Sequence, residues 1–276
     1  LYEKFFEPYT EKFLRCSPST IHSDWAKTGI DRSVIDKRVK INTLVDVIMR
    51  ALLPKPVNTQ FLYPLRGGIA NFSQRLTEDI QKNNGQVLLN TRVDNIESDK
   101  DKLAHVSCNG TRLSSDVVIW TAPIPTLCRF LELPEPDLRY LAAICYNVEM
   151  NGVPKREYQW CYYGQEDVVF NRISIPKLFS MTTVPGGKTG INAEVTCVEG
   201  DDVWQEPEKL IEAVKEDMVK VGLARKYKDI EAVHVERIPN VYPIYTMDYR
   251  EKLDSAMNQL RYFKNLVLLG RTGMFW

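Results

Sequence analysis

The sequence predicts an α+β fold, mixed helices and sheets in which strands cluster instead of alternating strictly with helices. Two observations predict it. Apolar residues at helical spacing recur in residues 1–15, 35–53, 68–84 and 206–223. Segments of strand character gather at 86–123 and again at 138–198, with no internal repeat or low-complexity stretch between them.

Taken in order, LYEKFFEPYTEKFLR (1–15) reads as an amphipathic helix. IDKRVKINTLVDVIMRALL (35–53) has helical apolar spacing and stops at Pro54, and PKPVNTQFLYP follows as a proline-punctuated loop. From Gly68 a helix places Ile69, Phe72, Leu76 and Ile80 on one face, with Gly85 as its stop. QVLLN (86–90), RVDNIES and KLAHVSCN are three β segments, and DKDK (99–102) is a solvated hairpin tip. SSDVVIWTAP (114–123) is apolar enough for a strand buried on both faces. Residues 138–150, 157–163, 167–175 and 190–198 read as a sheet of mixed exposure. EPEKLIEAVKEDMVKVGL (206–223) is a helix and IEAVHVERIP (230–239) a strand. Tyr242 and Tyr245 then flank Pro243 in a loop, and 249–261 is a helix. Val267, Leu268 and Leu269 form a short buried strand that delivers a loop bounded by Gly270 and Gly273 and carrying Arg271.

Composition narrows the function. The 276 residues are 44% hydrophobic and 26% charged, a globular balance. With 36 basic and 36 acidic side chains the formal net charge is zero, which argues against a general nucleic-acid binder. No apolar run reaches the about 18 residues that a spanning helix requires. The six cysteines include no CxxC pair, and with three scattered histidines they supply no metal-ligand spacing. They read as small buried thiols, consistent with a cytoplasmic protein.

Candidate binding residues lie where glycine and arginine meet strand ends. In LYPLRGGIANFSQRL (62–76), Gly67 and Gly68 precede a helix, where a backbone can approach a ligand; taken alone, the pair serves a tight loop equally well. Trp160, Tyr162 and Tyr163 cluster on one strand, suited to packing on a sheet face or to stacking on a base. His22 and His105 have no evident partner in the sequence.

The order of GGIANFSQRLTEDIQKNNGQVLLNTRVDNIES, DVVIWTAPIPTL and NLVLLGRTGMF resembles the flavin-containing amine oxidase and protoporphyrinogen oxidase superfamily. The resemblance covers nearly the whole chain. It implies FAD as cofactor, with Gly67 and Gly68 in the approach loop and the Val93 backbone facing adenine. Thr121, Ala122 and Pro123 would form the turn beneath the dinucleotide, and Gly270 and Arg271 the loop near pyrophosphate or substrate. A guanidinium suits either, because it makes bidentate, charge-assisted bonds to phosphate.

FFEPYTEKFLR (5–15), VVFNRISIPKLFS (168–180) and NVYPIYTMDYREKL (240–253) are similar to segments of UDP-galactopyranose mutases and their relatives. That resemblance implies a small-molecule substrate, a nucleotide sugar, held by Arg172, Tyr242 and Arg271. The chain departs from the mutase pattern at Ser174, Ile175 and Pro176, where the mutases carry threonine, glutamate and histidine.

The resemblance also divides the chain. Residues 1–60 would be a helical part of the substrate domain, 61–135 a partial FAD-binding domain, 136–240 the mixed-sheet substrate domain, and 241–276 a return to the FAD-binding domain. The G-x-G-x-x-G turn expected of such a domain occurs nowhere in the sequence. The expectation is therefore an internal fragment, inactive alone, whose strands 86–90, 114–120 and 266–269 expose apolar faces and favour self-association. The chemistry of the longer protein would be oxidation or mutase-like sugar rearrangement, and the remaining alternative is a non-catalytic substrate- or partner-binding module.

Overall fold

A computed structural model describes residues 2–26, 43 and 62–276. The helix expected at 35–53 and most of the loop after it lie outside the described residues. A π-helical turn at Tyr2–Phe6 leads into α1 (Glu7–Leu14), which ends with Arg15 in the left-handed conformation. The described chain resumes before α2 (Ala70–Lys82). Here Asn84, at φ 61°, takes the left-handed position and Gly85 donates its N–H back to the Ile80 carbonyl at 2.8 Å. The stop expected of Gly85 is thus shared between two residues. The stripe of Ile69, Phe72, Leu76 and Ile80 is present and exposed.

An antiparallel meander follows, β1 (Val93–Asp99), β2 (Lys102–Cys108) and β3 (Thr111–Ser114), with Lys100 and Asp101 at the expected hairpin tip. QVLLN is not a strand. No described strand lies beside it to supply hydrogen-bond partners, and Leu88 and Leu89 are exposed. The SSDVVIWTAP strand shrinks to β4 (Val118–Trp120), paired in parallel with β10 (Leu266–Leu268). It is not buried on both faces. Ile119 and Val267 share a register row and are 59% and 46% exposed, while Trp120 points inward.

That inward face packs with α3 (Ile124–Phe130) and α6 (Tyr249–Leu260) in a core that includes Ile96, Leu103, Leu127, Leu260 and Phe275. Asn265, the first residue of NLVLLGR, ties the meander to this pair. Its side chain accepts from the Leu103 N–H at 2.8 Å and donates to the Leu103 carbonyl at 2.9 Å, copying a strand partner where no strand runs.

The larger layer is a five-stranded antiparallel sheet in the order β6-β7-β8-β5-β9. Its strands are β5 (Arg139–Asn151), β6 (Trp160–Tyr162), β7 (Arg172–Ser174), β8 (Lys188–Cys197) and β9 (Ile230–Ile244). One face buries Ile144, Tyr146, Val148, Ile191, Ala193 and Val195 beneath Val214 and Met218 of α5 (Ile211–Lys220), with the short helix α4 (Asp202–Gln205) nearby. The strand expected at 230–239 continues through Tyr242 and Pro243, so these residues are not in a loop. Proline is accommodated because β9 is an edge strand and needs no further N–H donor. Gly270–Met274 is likewise a short helix, α7, in place of the expected loop.

Replacing Asn265 with Ala leaves both backbone groups of Leu103 buried without partners. The expected loss of unfolding free energy is about 2 kcal/mol, measured by urea denaturation; a loss within error of zero contradicts the role given to this side chain.

Candidate functional site

The second face of the five-stranded sheet is polar, and α1 covers one end of it. Antiparallel register places Tyr162, Arg172, Glu194 and Cys145 side by side across β6, β7, β8 and β5. Glu194 is only 4% exposed. A buried carboxylate requires partners, and it has two. The Arg172 guanidinium pairs with Oε2, and the Tyr242 hydroxyl donates to Oε1 at 3.1 Å. Above Tyr242 lies Arg271, its guanidinium carbon 5.6 Å from the ring centroid. Three residues proposed from separate segments of the sequence are therefore brought together, two of them on a carboxylate that sequence reasoning missed and the third over the ring of one of these. The signal was available: Glu194 is the one charged side chain within INAEVTC, an otherwise uncharged strand segment.

Electrostatics follow from this packing. Burial opposes the Arg172 charge, but the Glu194 carboxylate, with Tyr242 and Tyr162, outweighs it and raises the guanidinium above its ordinary value. Burial, and then Glu194, pushes the Tyr242 phenol up to about 12. Tyr9 of α1 is raised well above the usual phenol range, first by burial and then by Tyr162 and Glu194. Its ring meets Tyr162 edge-on at 5.5 Å, while Phe13 lies 5.0 Å from Tyr242. Glu236 of β9 extends the row opposite Cys145 and is exposed, so two guanidinium groups stand against one buried and one solvated carboxylate.

Lys12 fixes α1 over the sheet. Its ammonium donates to the carbonyls of Gln165 and Phe170, both at 2.8 Å, of Tyr163 at 3.2 Å, and of Val168. Burial lowers its pKa to about 8, with Asp217 and Asp167 opposing the shift. The loop carrying these carbonyls joins β6 to β7, so one ammonium holds together the helix bearing Tyr9 and the hairpin bearing Tyr162 and Arg172.

The residues assigned to FAD fall in three places. Thr121 and Pro123 form the turn between β4 and α3, directly against α7. A Cβ on Gly273 would lie 2.6 Å from the Trp120 carbonyl oxygen, so close packing accounts for that glycine, while Gly270 has φ +78° beside Thr121. Val93 opens β1 and packs half-buried on the second core. Gly67 and Gly68, both at positive φ, lie in a loop held against the segment after β7. The Leu65 carbonyl there accepts from Ser180 and Thr182, at 3.2 and 2.6 Å, and Tyr63 stacks on Phe179 at 5.5 Å. Trp160 stacks on the same Phe179 at 5.9 Å, and Tyr163 packs edge-on against Phe170 at 5.1 Å. His22, expected to be isolated, lies 3.2 Å from Asp24 and against Tyr249.

A family model for flavin containing amine oxidoreductases matches residues 2–156. The chain belongs to this family. No curated protein matches the sequence. Among solved structures, a reduced UDP-galactopyranose mutase superposes with a TM-score of 0.75 at 20% identity, covering 99% of this chain and 60% of that one. A protein of Exiguobacterium sp. 255-15 named as a protoporphyrinogen oxidase gives 0.62 at 19% identity over 81% of this chain and 49% of its own. An oxidoreductase from Methanosarcina mazei gives 0.50 at 15% identity over 66% of this chain and 43% of its own. This flavin-family chain thus spans 60% or less of the length of these neighbours, and at such identities the likeness establishes the α+β fold. None of its described helices is long and apolar enough to cross a membrane, and no group of metal-ligating side chains occurs among the described residues.

Two outcomes test the site's wiring. Lys12→Met leaves four carbonyls without their shared donor and is expected to cost roughly 2 kcal/mol of stability in a denaturant titration. Because the Tyr242 phenol is raised in the folded state, its contribution is complete below pH 10 and is lost as pH rises through about 12. Tyr242→Phe should flatten the alkaline decline in stability over that window; an unchanged decline would show that Tyr242 is not strained by ionisation.

Proposed function

We propose that these residues form the substrate-holding part of an FAD-dependent enzyme of the amine oxidoreductase family, and that the substrate is a nucleoside diphosphate sugar. The observation that carries this reading is the assembly of Arg172 and Tyr242 on Glu194 with Arg271 over the Tyr242 ring, two guanidinium groups in a tyrosine-lined cluster on the polar sheet face. Arg172 is oriented by Glu194, and Arg271 lies over an aromatic ring, so the two guanidinium groups are held in place before a ligand arrives. A diphosphate offers such a pair the oxygens it needs for charge-assisted hydrogen bonds. The likeness to a UDP-galactopyranose mutase over 99% of the chain supports the same reading.

On this reading a flavin would meet the chain along one edge. Thr121, Pro123, Gly270 and Arg271 would line it, and a bound flavin would supply the electron chemistry. The glycine-rich turn that cradles a dinucleotide pyrophosphate is absent from the 276 residues, so the set does not fit a whole FAD. On this reading the chain alone binds substrate without turning it over. Its exposed apolar row of Ile119, Val267 and Leu269 would then favour self-association at high concentration.

The alternative within the family is an oxidase acting on a polar substrate, and the pairing of Arg172 with Glu194 favours it to the extent that it lowers the anion-binding charge. A purely binding module is the third reading. Titration calorimetry with UDP separates them. Arg271→Ala should weaken UDP roughly 10-fold or more, and Arg172→Lys should weaken it less, because the Glu194 charge stays paired. Unchanged UDP affinity in Arg271→Ala sinks the nucleotide-sugar reading, and turnover of a UDP-sugar by the 276-residue chain with added FAD sinks the prediction of inactivity.

A further inference from the structure

The polar sheet face carries a second row beside the charged one. Two residues along each strand from Tyr162, Arg172, Glu194 and Cys145, the register aligns Trp160, Ser174, Asn192 and Asn147. Asparagine is depleted in strands, yet Asn147 and Asn192 face each other on β5 and β8, both interior strands of the sheet. All three polar side chains of this row are half-buried. Asn192 Nδ2 donates to Asn147 Oδ1 at 2.8 Å. Among the described residues the Asn147 amide nitrogen and the Ser174 hydroxyl make no further side-chain hydrogen bond.

A cross-strand pair serving only stability would be better built from β-branched or aromatic residues. On a rigid sheet this row instead offers an amide donor, fixed by the hydrogen bond between Asn192 and Asn147, and a hydroxyl, neither charged; it ends on β9 at His234, whose imidazole is taken up by Glu149 at 2.9 Å. Its distance from the charged row is two residues along the pleat, roughly 7 Å. In a nucleoside diphosphate sugar the terminal phosphate and the hydroxyl groups of the attached ring are separated by a comparable step.

We propose that Asn147, Asn192 and Ser174 form a neutral hydroxyl-recognising subsite that receives the sugar of a ligand whose diphosphate is held by Arg172 and Arg271. Asn147 and Ser174 meet the sugar directly, and Asn192 positions Asn147. The inference rests on the nucleotide-sugar reading above and adds to it the residues that select the sugar.

The test compares UDP with UDP-galactose on the 276-residue chain by calorimetry. The chain should bind UDP-galactose roughly 5- to 10-fold more tightly than UDP, the worth of one or two neutral hydrogen bonds. Asn147→Val and Ser174→Ala should each narrow that advantage, and the double variant should abolish it, with UDP affinity within about 2-fold of the parent. Arg271→Ala should weaken both ligands and leave their ratio intact. Ser174→Ala removes only a half-buried hydroxyl and so guards against misfolding of the valine variants, with thermal melts run on each. Equal affinity for the two ligands in the parent chain overturns the subsite, as does an advantage that survives the double variant. Loss of both affinities together in a folded Ser174→Ala chain reassigns the row to a structural role. Failure of UDP itself to bind removes the charged-row reading, and the subsite falls with it.

Discussion

The buried charge of Glu194 constrains everything around the candidate site. A carboxylate in the interior of a sheet is costly to desolvate unless its oxygens are occupied by well-placed donors. Here one oxygen takes the Arg172 guanidinium and the other the Tyr242 hydroxyl, groups that arrive from β7 and β9 on opposite sides of β8 and β5. The sheet order β6-β7-β8-β5-β9 is therefore written into the chemistry of the site. Any slip of β8 by one residue would send Glu194 into the apolar core, turn Ala193 and Val195 out of it, and leave Arg172 without its carboxylate.

Lys12 extends that constraint to the helix above. An ammonium among backbone carbonyls needs no side-chain partner, and it fixes a loop whose own backbone acceptors would otherwise lie under α1 without donors. Tyr9 and Phe13 are thereby held against Tyr162 and Tyr242. The site is preorganised by two unlike devices, a buried carboxylate beneath it and a tethered cation beside it, and both act on the β6–β7 hairpin that carries Arg172.

Much of this fold is legible in the sequence wherever local pattern and tertiary setting agree. The helices at 70–82, 211–220 and 249–260 and the long strands β5 and β8 follow from apolar periodicity. Legibility fails where a neighbour decides the outcome. QVLLN has strand composition but no described strand to pair with. VYPI contains a proline and is still strand, because β9 is an edge. Gly270–Met274 looks like a loop by its glycines, but Gly273 is there to let a helical turn sit on the Trp120 carbonyl. In the site, Arg172, Tyr242 and Arg271 were accessible through segment resemblance. Glu194 and Lys12 were not assigned, since a single acidic residue in a strand and a lysine on an amphipathic helix each have ordinary solvated roles. What distinguishes them is the burial and register that only the assembled sheet supplies.

Arg271 is the one member of the cluster that does not belong to the sheet or to α1. It comes from α7, which packs against the Thr121 turn of the β4–β10 pair, and it reaches across to Tyr242 of β9. The Tyr140 hydroxyl strengthens this junction by donating to the Thr272 carbonyl at 2.9 Å, so β5 holds α7 at its following residue. The two layers thus have different parts in the same site. The five-stranded sheet supplies a fixed floor on which one guanidinium is already paired with a carboxylate. The parallel pair, the edge assigned to the flavin, supplies the second guanidinium with no carboxylate bound to it among the described residues. An anion meeting this face would gain most from Arg271, at the seam between the two layers.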